Sequence, residues 1–338
     1  MPLKTAIIGF GRVAALNAGD PKISREYAFS THAEVLRAHP SFDWGAVVDS
    51  SKEAVRTARE IWGIDRVYHD VAEMLEDYRP DIVSVCTRVD VRAGIVALLG
   101  SVKAIMLEKP IGRGRAEVEE ISEFCRRHGL SAQVNFWRRG DTGLRGLAAG
   151  GLKTKIGRTQ AAFGVYGNGL RNNGAHLVDF LRMQFGEIEW VEATGGQPPI
   201  PAGPVEGDVQ FPFAVGMTDG LVVEFQPVDF RHYRENAVDL WGETGRLSLM
   251  SDFRKIIFSP KAEHNCFSDC HEIRSDKPEI IEGTHGRALY EMYDNIARHL
   301  SNGDDLYCPL DDAAKSEMAI DVLIESAGAK GKRISLTH

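Results

Sequence analysis

The chain has 338 residues, more than one compact core usually takes, so its length predicts two domains. Its composition, 43% hydrophobic and 26% charged, is that of a globular protein and excludes a disordered or fibrous chain. The net charge of −8 argues against nucleic-acid binding, and no apolar run approaches the roughly 18 residues of a membrane span. The cysteines are few, and a strand-like run closely follows the first methionine, so we expect a cytoplasmic location without a signal peptide.

Short apolar runs alternate with helical patterns through the first part of the chain. The runs are continuous, as in strands that are covered on both faces, and lie at residues 5–8, 44–48, 81–86, 104–107 and 131–134. The helical patterns between them lie at 52–62, 91–99 and 115–128. This alternation predicts an α/β fold, with an N-terminal Rossmann domain over residues 1–131 built on a doubly wound parallel sheet.

The pattern changes after about residue 150. Runs typical of strands lie at 158–165, 209–215, 221–225, 237–240 and 246–250, separated by glycine, proline and aspartate. Helical patterns lie at 174–185, 287–300 and 310–328. We therefore predict, over residues 132–338, a C-terminal α+β domain with a largely antiparallel open sheet.

A glycine motif follows the first predicted strand. It runs Gly9-Phe10-Gly11-Arg12-Val13-Ala14 and matches the pattern G-x-G-x-x-G/A. The first glycine permits a tight turn, the second lets a pyrophosphate approach the backbone, and the alanine allows close packing of helix on strand. Backbone N–H groups at the start of the next helix would bind the phosphates. The motif predicts a dinucleotide site, the alternative being a purely structural turn.

Asp49 ends the second predicted strand, where a carboxylate holds the adenosine ribose, with Ser50 beside it. It lies further from the turn than the ~20 residues of the tightest motifs. Residues 16–30 make up the excess, and the capping box at 31–34 opens a fresh helix, so we hypothesise an inserted loop near the cofactor. The carboxylate favours NAD over NADP, although Ser50, Ser51 and Lys52 could bind a 2′-phosphate. As a simple helix N-cap, Asp49 would fit either cofactor.

The tripeptide Glu108-Lys109-Pro110 ends the strand predicted at 104–107. The carboxyl ends of strands line the ligand crevice of an open α/β sheet. Lys109 is there a cationic donor that can orient a substrate hydroxyl and assist proton transfer, and Pro110 shapes the turn, with a cis bond as one option. The alternative is a solvated lysine at the end of a strand.

Four motifs together resemble the glucose–fructose oxidoreductase, inositol dehydrogenase and MocA (Gfo/Idh/MocA) family. They are the glycine turn at 9–14, Glu108-Lys109-Pro110, Asn135-Phe-Trp-Arg-Arg139 and Asn172-Asn-Gly-Ala-His176-Leu-Val-Asp179. The resemblance covers nearly the whole chain. It implies a Rossmann domain that binds NAD or NADP, a lysine beside cofactor and substrate, a catalytic histidine, and a homo-oligomer (dimer or tetramer) formed through the sheet of the second domain.

Carried over residue by residue, Lys109 matches the family lysine and His176 the acid/base histidine. The family acid four residues before the histidine is Asn172 here, which can orient an imidazole but carries no charge. Asp179, on the same helix face as His176, either supplies that charge or complements the helix dipole. Three interpretations remain: activity with a retuned histidine, activity through Lys109 or Tyr166, or no catalysis. We favour activity.

Other departures concern the predicted cofactor contacts Thr87, Arg88 and Glu108. The usual Thr-Pro of the family is Thr87-Arg88, and a family histidine a few residues on is missing, with Arg92 nearby. Arg88 either contacts a cofactor phosphate or a substrate acid, or it is an exposed loop arginine.

The predicted substrate contacts are Trp137, Arg138, Arg139, Tyr166 and Asn173. An aromatic platform with guanidinium groups suits a sugar or an anionic substrate. The alternatives are a buried tryptophan with solvated arginines, and a Tyr166 that packs in the core. The cysteines and histidines of residues 264–271 lack the second knuckle of a structural zinc site, so we predict no metal.

These observations predict an NAD(P)-dependent oxidoreductase that transfers hydride between nicotinamide and a hydroxyl or keto carbon. Its substrate would be a sugar, a cyclitol or a nucleotide sugar, with neither nucleic acid nor membrane as a partner. Two alternatives remain, a glycoside hydrolase of the same fold that retains NAD, and a non-catalytic nucleotide-sensing protein, the latter suggested by Asn172.

Overall fold

The computed structural model describes residues 2–196, 199–274 and 276–336. The chain forms two compact units. The first unit comprises Met1–Gly140 and Gly286–Lys315, and the second comprises Asp141–His285 and Ser316–His338. The first unit thus continues beyond the 131/132 boundary drawn from the sequence and takes in a later segment, because a segment that returns to an earlier domain leaves no mark in a linear pattern.

The first unit is built on a parallel sheet. Its strands are β1 (Leu3–Ile8), β2 (Phe42–Val48), β3 (Arg66–Tyr68), β4 (Ile82–Val85), β5 (Ala104–Leu107) and β6 (Ser131–Val134). Their order is β3-β2-β1-β4-β5-β6, with every neighbouring pair parallel. This is the order of a doubly wound dinucleotide-binding sheet. All residues of β4 and β5 are buried, as the continuous apolar runs predicted, and the Rossmann prediction is confirmed.

Helices cover this sheet. They are α1 (Ile23–Glu26), α2 (His32–Ala38), α3 (Lys52–Glu60), α4 (Val71–Asp77), α5 (Val89–Val96) and α6 (Arg115–His128), with a later helix at Ala288–Asn302 in the same unit. Thr31, Ser51 and Asp70 cap α2, α3 and α4 through their side-chain oxygens. Gly129, at a φ of +62°, ends α6 in the left-handed conformation. The short β3 and α4 were not predicted. The three residues of β3 are too few to show a period.

The second unit is built on a large mixed sheet. Its strands are β7 (Thr159–Tyr166), β8 (Ile188–Ala193), β9 (Ile200–Pro201), β10 (Val209–Gln210), β11 (Phe213–Met217), β12 (Val222–Pro227), β13 (Ala237–Gly242), β14 (Gly245–Met250), β15 (Lys255–Glu263), β16 (His271–Ile273), β17 (Glu279–Ile281) and β18 (Ile334–Ser335). The sheet runs β16-β15-β14-β13-β7-β12-β11-β8-β18, with β17 also on β15, while β9 and β10 pair separately. Among the described pairs of this sheet only β7 and β12 are parallel. The prediction of a largely antiparallel sheet is confirmed.

The remaining helices are α7 (Thr142–Gly146), α8 (Leu152–Ile156), α9 (Ala175–Phe185), α10 (Ala288–Asn302) and α11 (Leu310–Gly328). On β12, Val223 and Phe225 are fully buried while Val222 and Glu224 are exposed, so the two faces of the sheet differ in burial. No helix of the described residues is long and apolar enough to cross a membrane.

Candidate functional site

The glycine turn after β1 packs tightly against the end of β4. Gly9 has a φ of +84°, and a Cβ placed there would lie 2.9 Å from backbone atoms of Cys86 and Thr87. A Cβ at Gly11 would meet no atom of the described residues within 4 Å. Gly9 is therefore required by the protein itself, whereas Gly11 leaves open space in which a pyrophosphate can approach the backbone.

The other residues of the turn differ in exposure. Phe10 is fully buried, and its ring lies 5.9 Å from that of Trp44, so its side chain belongs to the core and only its backbone is available to a cofactor. Arg12 and Val13 are exposed, and Ala14 is fully buried, as close packing requires.

The segment after the turn bears on the expectation that N–H groups at the start of the next helix bind the phosphates. A 3-10 turn at Leu16–Gly19 and the four-residue α1 come first, so the described residues contain no long helix that starts at the phosphate turn. The next helix, α2, begins at the predicted capping box, and its first N–H groups are bound by the protein: Ala33 N donates to Ala14 O at 2.9 Å. The hypothesis of an inserted segment before α2 is thus confirmed. Its position beside a cofactor remains a prediction.

Asp49, at the end of β2, is tied to the turn. Its Oδ2 accepts a hydrogen bond from Phe10 N at 2.6 Å, and its Oδ1 accepts one from Ser51 N at 2.7 Å. The N-cap of α3 is Ser51, so the interpretation of Asp49 as a simple helix cap is wrong. Ser50 and Lys52 are exposed beside it.

Lys109 follows β5 in a loop held by a buried arginine. The Lys109–Pro110 bond is cis, and Lys109 is half-buried. Arg92, on α5, is buried, and its guanidinium donates to the carbonyl of Glu108 at 2.6 Å and to the carbonyls of Pro110 and Thr87. Sequence reasoning noted Arg92 only because it lies near the position of a family histidine that this chain lacks. In the structure it joins the ends of β4 and β5.

Thr87 and Arg88, at the end of β4, have different environments. Thr87 is half-buried with its methyl group against Gly9, whereas the side chain of Arg88 is 79% exposed and pairs with Asp90 at 3.2 Å. Arg88 is thus an exposed loop arginine, which leaves its guanidinium accessible to a ligand.

Glu108 lies inside the first unit and does not face a ligand as predicted. Its Oε1 accepts hydrogen bonds from Asn135 Nδ2 at 2.5 Å and from His32 Nε2 at 2.8 Å. His32 Nδ1 is 2.5 Å from Tyr293 Oη, which is 2.6 Å from Ser84 Oγ. Sequence reasoning missed this network, because Thr31-His-Ala-Glu34 was interpreted only as a helix cap and Tyr293 lies far along the chain.

The segment after β6 reverses the expected burial. Arg138 and Arg139 are buried, and Trp137 is half-buried. Arg139 forms an ion pair with Asp312, and the guanidinium of Arg138 lies 4.9 Å from the ring centre of Trp137. The interpretation of a buried tryptophan with solvated arginines is wrong. Arg139 is held by an internal carboxylate, and the substrate contacts predicted at Trp137 and Arg138 remain predictions.

In the second unit, His176 lies in the first turn of α9 and is buried. A π-helical turn at Leu170–Gly174 precedes the helix. Asn172 and Asn173 lie in this turn and donate through their side chains to the carbonyls of Asn168, at 3.1 Å, and Gly167, at 2.8 Å. Both predicted asparagines therefore shape the segment that leads to the histidine.

Asp208 anchors the same turn and was not predicted. Its carboxylate accepts hydrogen bonds from the backbone N–H groups of Arg171 at 2.9 Å, Asn172 at 3.0 Å and Val209 at 2.9 Å. Burial raises the pKa of Asp208, and these N–H groups counteract part of that effect. In the sequence Asp208 follows a glycine and resembles an ordinary turn residue.

The other two predicted residues of this unit lie in its interior. Asp179 is buried and accepts a hydrogen bond from Ser316 Oγ at 3.0 Å. Tyr166 is fully buried, with its hydroxyl donating to Phe211 O at 2.7 Å and accepting from Phe211 N at 3.0 Å. Burial raises the pKa of Tyr166 further above its usual value. Tyr166 thus belongs to the core, which corrects its assignment as a substrate contact and as a substitute acid.

Comparison with known proteins identifies the first unit. Residues 3–136 match the model of the Gfo/Idh/MocA family, described as an oxidoreductase family with an NAD-binding Rossmann fold. The D-apiose dehydrogenase of Paraburkholderia graminis is 26% identical over 229 residues, which cover 62% of this chain and 61% of that protein. The myo-inositol 2-dehydrogenase of Thermotoga maritima is 25% identical over 146 residues, 43% of this chain and 39% of that protein. The matches thus span less than two thirds of these relatives.

Solved structures match over the whole chain. The WlbA dehydrogenase of Bordetella pertussis, in complex with NADH and UDP-GlcNAcA, has a TM-score of 0.76 at 16% identity and 100% coverage of both chains. An oxidoreductase of Agrobacterium radiobacter, in complex with NAD+, L-tartaric acid and magnesium, has a TM-score of 0.75 at 16% identity and coverage of 99% and 98%. At these identities the likeness shows the fold. The match of residues 3–136 places this part of the chain with the Gfo/Idh/MocA oxidoreductases, whose NAD-binding domain has the Rossmann fold.

Proposed function

We propose that this protein is an NAD-dependent oxidoreductase that interconverts a hydroxyl and a keto group on a polyhydroxylated substrate. The observation that carries the proposal is the arrangement at the carboxyl ends of β1, β4 and β5. There the turn at Gly9 packs on Thr87, and Arg92 joins the end of β4 to the loop that bears Lys109.

The residues present fit a nicotinamide dinucleotide. Gly11 has open space where a pyrophosphate must come close to the backbone, and Asp49 ends β2, where the fold places the adenosine ribose. A carboxylate there accepts hydrogen bonds from ribose hydroxyls and repels a 2′-phosphate. These features favour NAD over NADP.

The bound cofactor would supply the hydride acceptor or donor, and the chain's own residues would handle the oxygen and its proton. Lys109, half-buried beside a cis proline and held by the Arg92 contacts, presents an ammonium group that can polarise a substrate oxygen. His176 would exchange the hydroxyl proton. Asn172 has no charge to stabilise an imidazolium, and Asp179 bonds to Ser316, so neither is proposed to take part in proton transfer.

The substrate class is proposed from two sources. The D-apiose and myo-inositol dehydrogenases act on polyhydroxylated compounds, and Trp137 with the adjacent guanidinium of Arg138 offers an apolar face and polar donors suited to such a compound. A cytoplasmic location and a homo-oligomer of two or four copies remain predictions.

The first experiment is native mass spectrometry of the purified protein with added NADH or NADPH. We expect an empty protein that binds NADH more tightly than NADPH. Nucleotide retained from purification would favour a glycoside hydrolase that recycles NAD, and binding of neither nucleotide would overturn the proposal.

A polyol and sugar screen that follows NADH formation then tests the two proposed catalytic residues. Lys109→Met and His176→Gln should each lower turnover by about 10²-fold or more. Lys103→Met is the matched control, because Lys103 lies at the opposite end of β5 and its side chain is 60% exposed. Turnover of both catalytic variants within a few-fold of the unmodified protein would contradict the assigned roles.

A further inference from the structure

A buried chain of hydrogen bonds links two parts of the first unit that the proposed function uses. His32, 1% exposed, contacts Glu108 at 2.8 Å through Nε2 and Tyr293 at 2.5 Å through Nδ1. Tyr293 in turn contacts Ser84 on β4 at 2.6 Å. The imidazole of His32 thus links α2 to the end of β5 and to α10, and Tyr293 extends the chain of hydrogen bonds to β4.

One end of this chain is the glycine turn. The backbone N–H groups of His32 and Ala33 donate to Val13 O at 3.3 Å and Ala14 O at 2.9 Å. The first turn of α2 therefore holds the last residues of the nucleotide-binding motif. His32 lies in this first turn, and its side chain reaches Glu108.

The other end is the lysine loop. Glu108 is the residue before Lys109, and its Oε1 accepts from both His32 and Asn135. Burial alone would lower the pKa of His32, but its neighbours Cys86, Tyr293 and Glu108 outweigh burial and hold the pKa well above 6.5. The raised pKa favours the protonated imidazole, and a hydrogen bond from an imidazolium to a carboxylate is stronger than a neutral one.

We propose that His32 is a positioning residue that couples the glycine turn to the lysine loop through its bond to Glu108. This inference rests on the proposed function, because it assigns His32 a part in presenting the turn to a nucleotide and Lys109 to a substrate. Neither the glycine motif nor the Glu-Lys-Pro tripeptide contains the residue that would connect them.

The test compares two substitutions that differ in reach. In His32→Gln the amide nitrogen lies near the position of Nε2 and can still donate to Glu108, whereas in His32→Asn it lies near that of Nδ1 and reaches only the Tyr293 side. We expect NADH to bind His32→Asn about tenfold more weakly, since a hydrogen bond to a buried charge is lost, and His32→Gln within about threefold of the unmodified protein. Equal affinities of the two variants would overturn the proposal.

Two further variants separate positioning from general destabilisation. His32→Asn combined with Glu108→Gln removes the buried charge that His32→Asn leaves without its imidazolium partner, so stability should recover while NADH affinity stays low. Recovery of both would show that only buried charge mattered and would overturn the proposal. His39→Gln is the matched control, because His39 ends the same helix, is 4% exposed and contacts Asp294 at 3.3 Å. It should leave NADH affinity unchanged.

Amide hydrogen exchange without nucleotide decides the inference independently of the proposed function. His32→Asn should speed exchange at both residues 9–14 and 108–111, and His32→Gln at neither. Faster exchange confined to α2, or spread evenly over the unit, would count against coupling. If the unmodified protein failed to bind NADH, the proposed function would be wrong, and the exchange result would still test whether His32 couples the glycine turn to the lysine loop.

Discussion

Gly9 and Thr87 are so close that a single added carbon would not fit between them: a Cβ at Gly9 would lie 2.9 Å from the backbone nitrogen of Thr87. Two residues on, a Cβ at Gly11 would meet nothing within 4 Å among the described residues. The two glycines of one motif therefore serve different partners. Gly9 allows β1 and β4 to meet, and Gly11 keeps a space open for a ligand.

Alanine substitution should separate these roles. Gly9→Ala combines a clash with backbone atoms and a φ of +84°, so we expect it to lower the free energy of unfolding by about 2 kcal/mol or more. Gly11→Ala should leave stability within about 0.5 kcal/mol and weaken NADH binding at least tenfold, because its methyl group occupies the pyrophosphate approach. Thermal unfolding and NADH titration of both variants provide the check. Normal NADH binding by Gly11→Ala would contradict the placement of the nucleotide.

The contact between Asp208 and Asn172 leads to a second prediction. Asp208→Ala leaves three backbone N–H groups without their acceptor, which should cost about 2 to 3 kcal/mol of unfolding free energy. Because the affected turn leads directly into α9, turnover on an identified substrate should fall while NADH affinity stays the same. Asp229→Ala is the control, since Asp229 is half-buried and pairs locally with the exposed Arg231 at 2.6 Å. Unchanged turnover per folded molecule would show that Asp208 serves stability alone.

The sequence predicted those features that depend on local pattern. Continuous apolar runs at β4 and β5 identified buried parallel strands, and the capping box at Thr31 located the start of α2 after the inserted segment. The glycine motif located the turn at Gly9, and the proline offered a cis bond at Pro110 as one option, because each depends on the conformational preference of its own residue.

Features that depend on distant partners were missed. Glu108 was assigned to the cofactor because it ends a strand, yet its carboxylate is bound by His32, 76 positions away along the chain. Asp208 and Asn172 are 36 positions apart, and a single aspartate after a glycine carries no sign of the turn that it holds. Tyr166 was predicted as a substrate contact, but it is buried and its hydroxyl bonds to the backbone of Phe211.

The burial of Tyr166 supports a third prediction. Tyr166→Phe removes a hydroxyl that donates to Phe211 O and accepts from Phe211 N, so the unfolding free energy should fall by about 1 to 2 kcal/mol. Turnover per folded molecule should not change, in contrast to Lys109→Met and His176→Gln. Chemical denaturation and steady-state kinetics of the three variants make the comparison. A loss of turnover in Tyr166→Phe without a loss of stability would restore Tyr166 as a candidate acid.

His32 and His39, at the start of α2 and just after its end, should give opposite pH dependences of stability. The folded pKa of His32 lies above 6.5, so the stability it adds is full below pH 6.5 and is lost as the pH rises through the folded value. Burial would raise the pKa of Glu108, but its hydrogen bond to His32 and the imidazolium charge lower it below 4.5 instead, so its contribution is present above pH 4.5 and lost as the pH falls. The stability lost in His32→Gln should therefore be largest between about pH 4.5 and 6.5 and shrink in alkaline solution.

His39 should behave in the reverse sense. Burial lowers its pKa below 6.5 despite the nearby carboxylate of Asp294, so the stability that depends on neutral His39 is present above pH 6.5 and is lost as the pH falls through the folded value. Denaturant unfolding of the unmodified protein, His32→Gln and His39→Gln from pH 5 to 9 compares the two. The His32 difference should decrease with rising pH while the His39 difference increases. Parallel curves would mean that His32 is neutral in the folded protein and that its bond to Glu108 is an ordinary one.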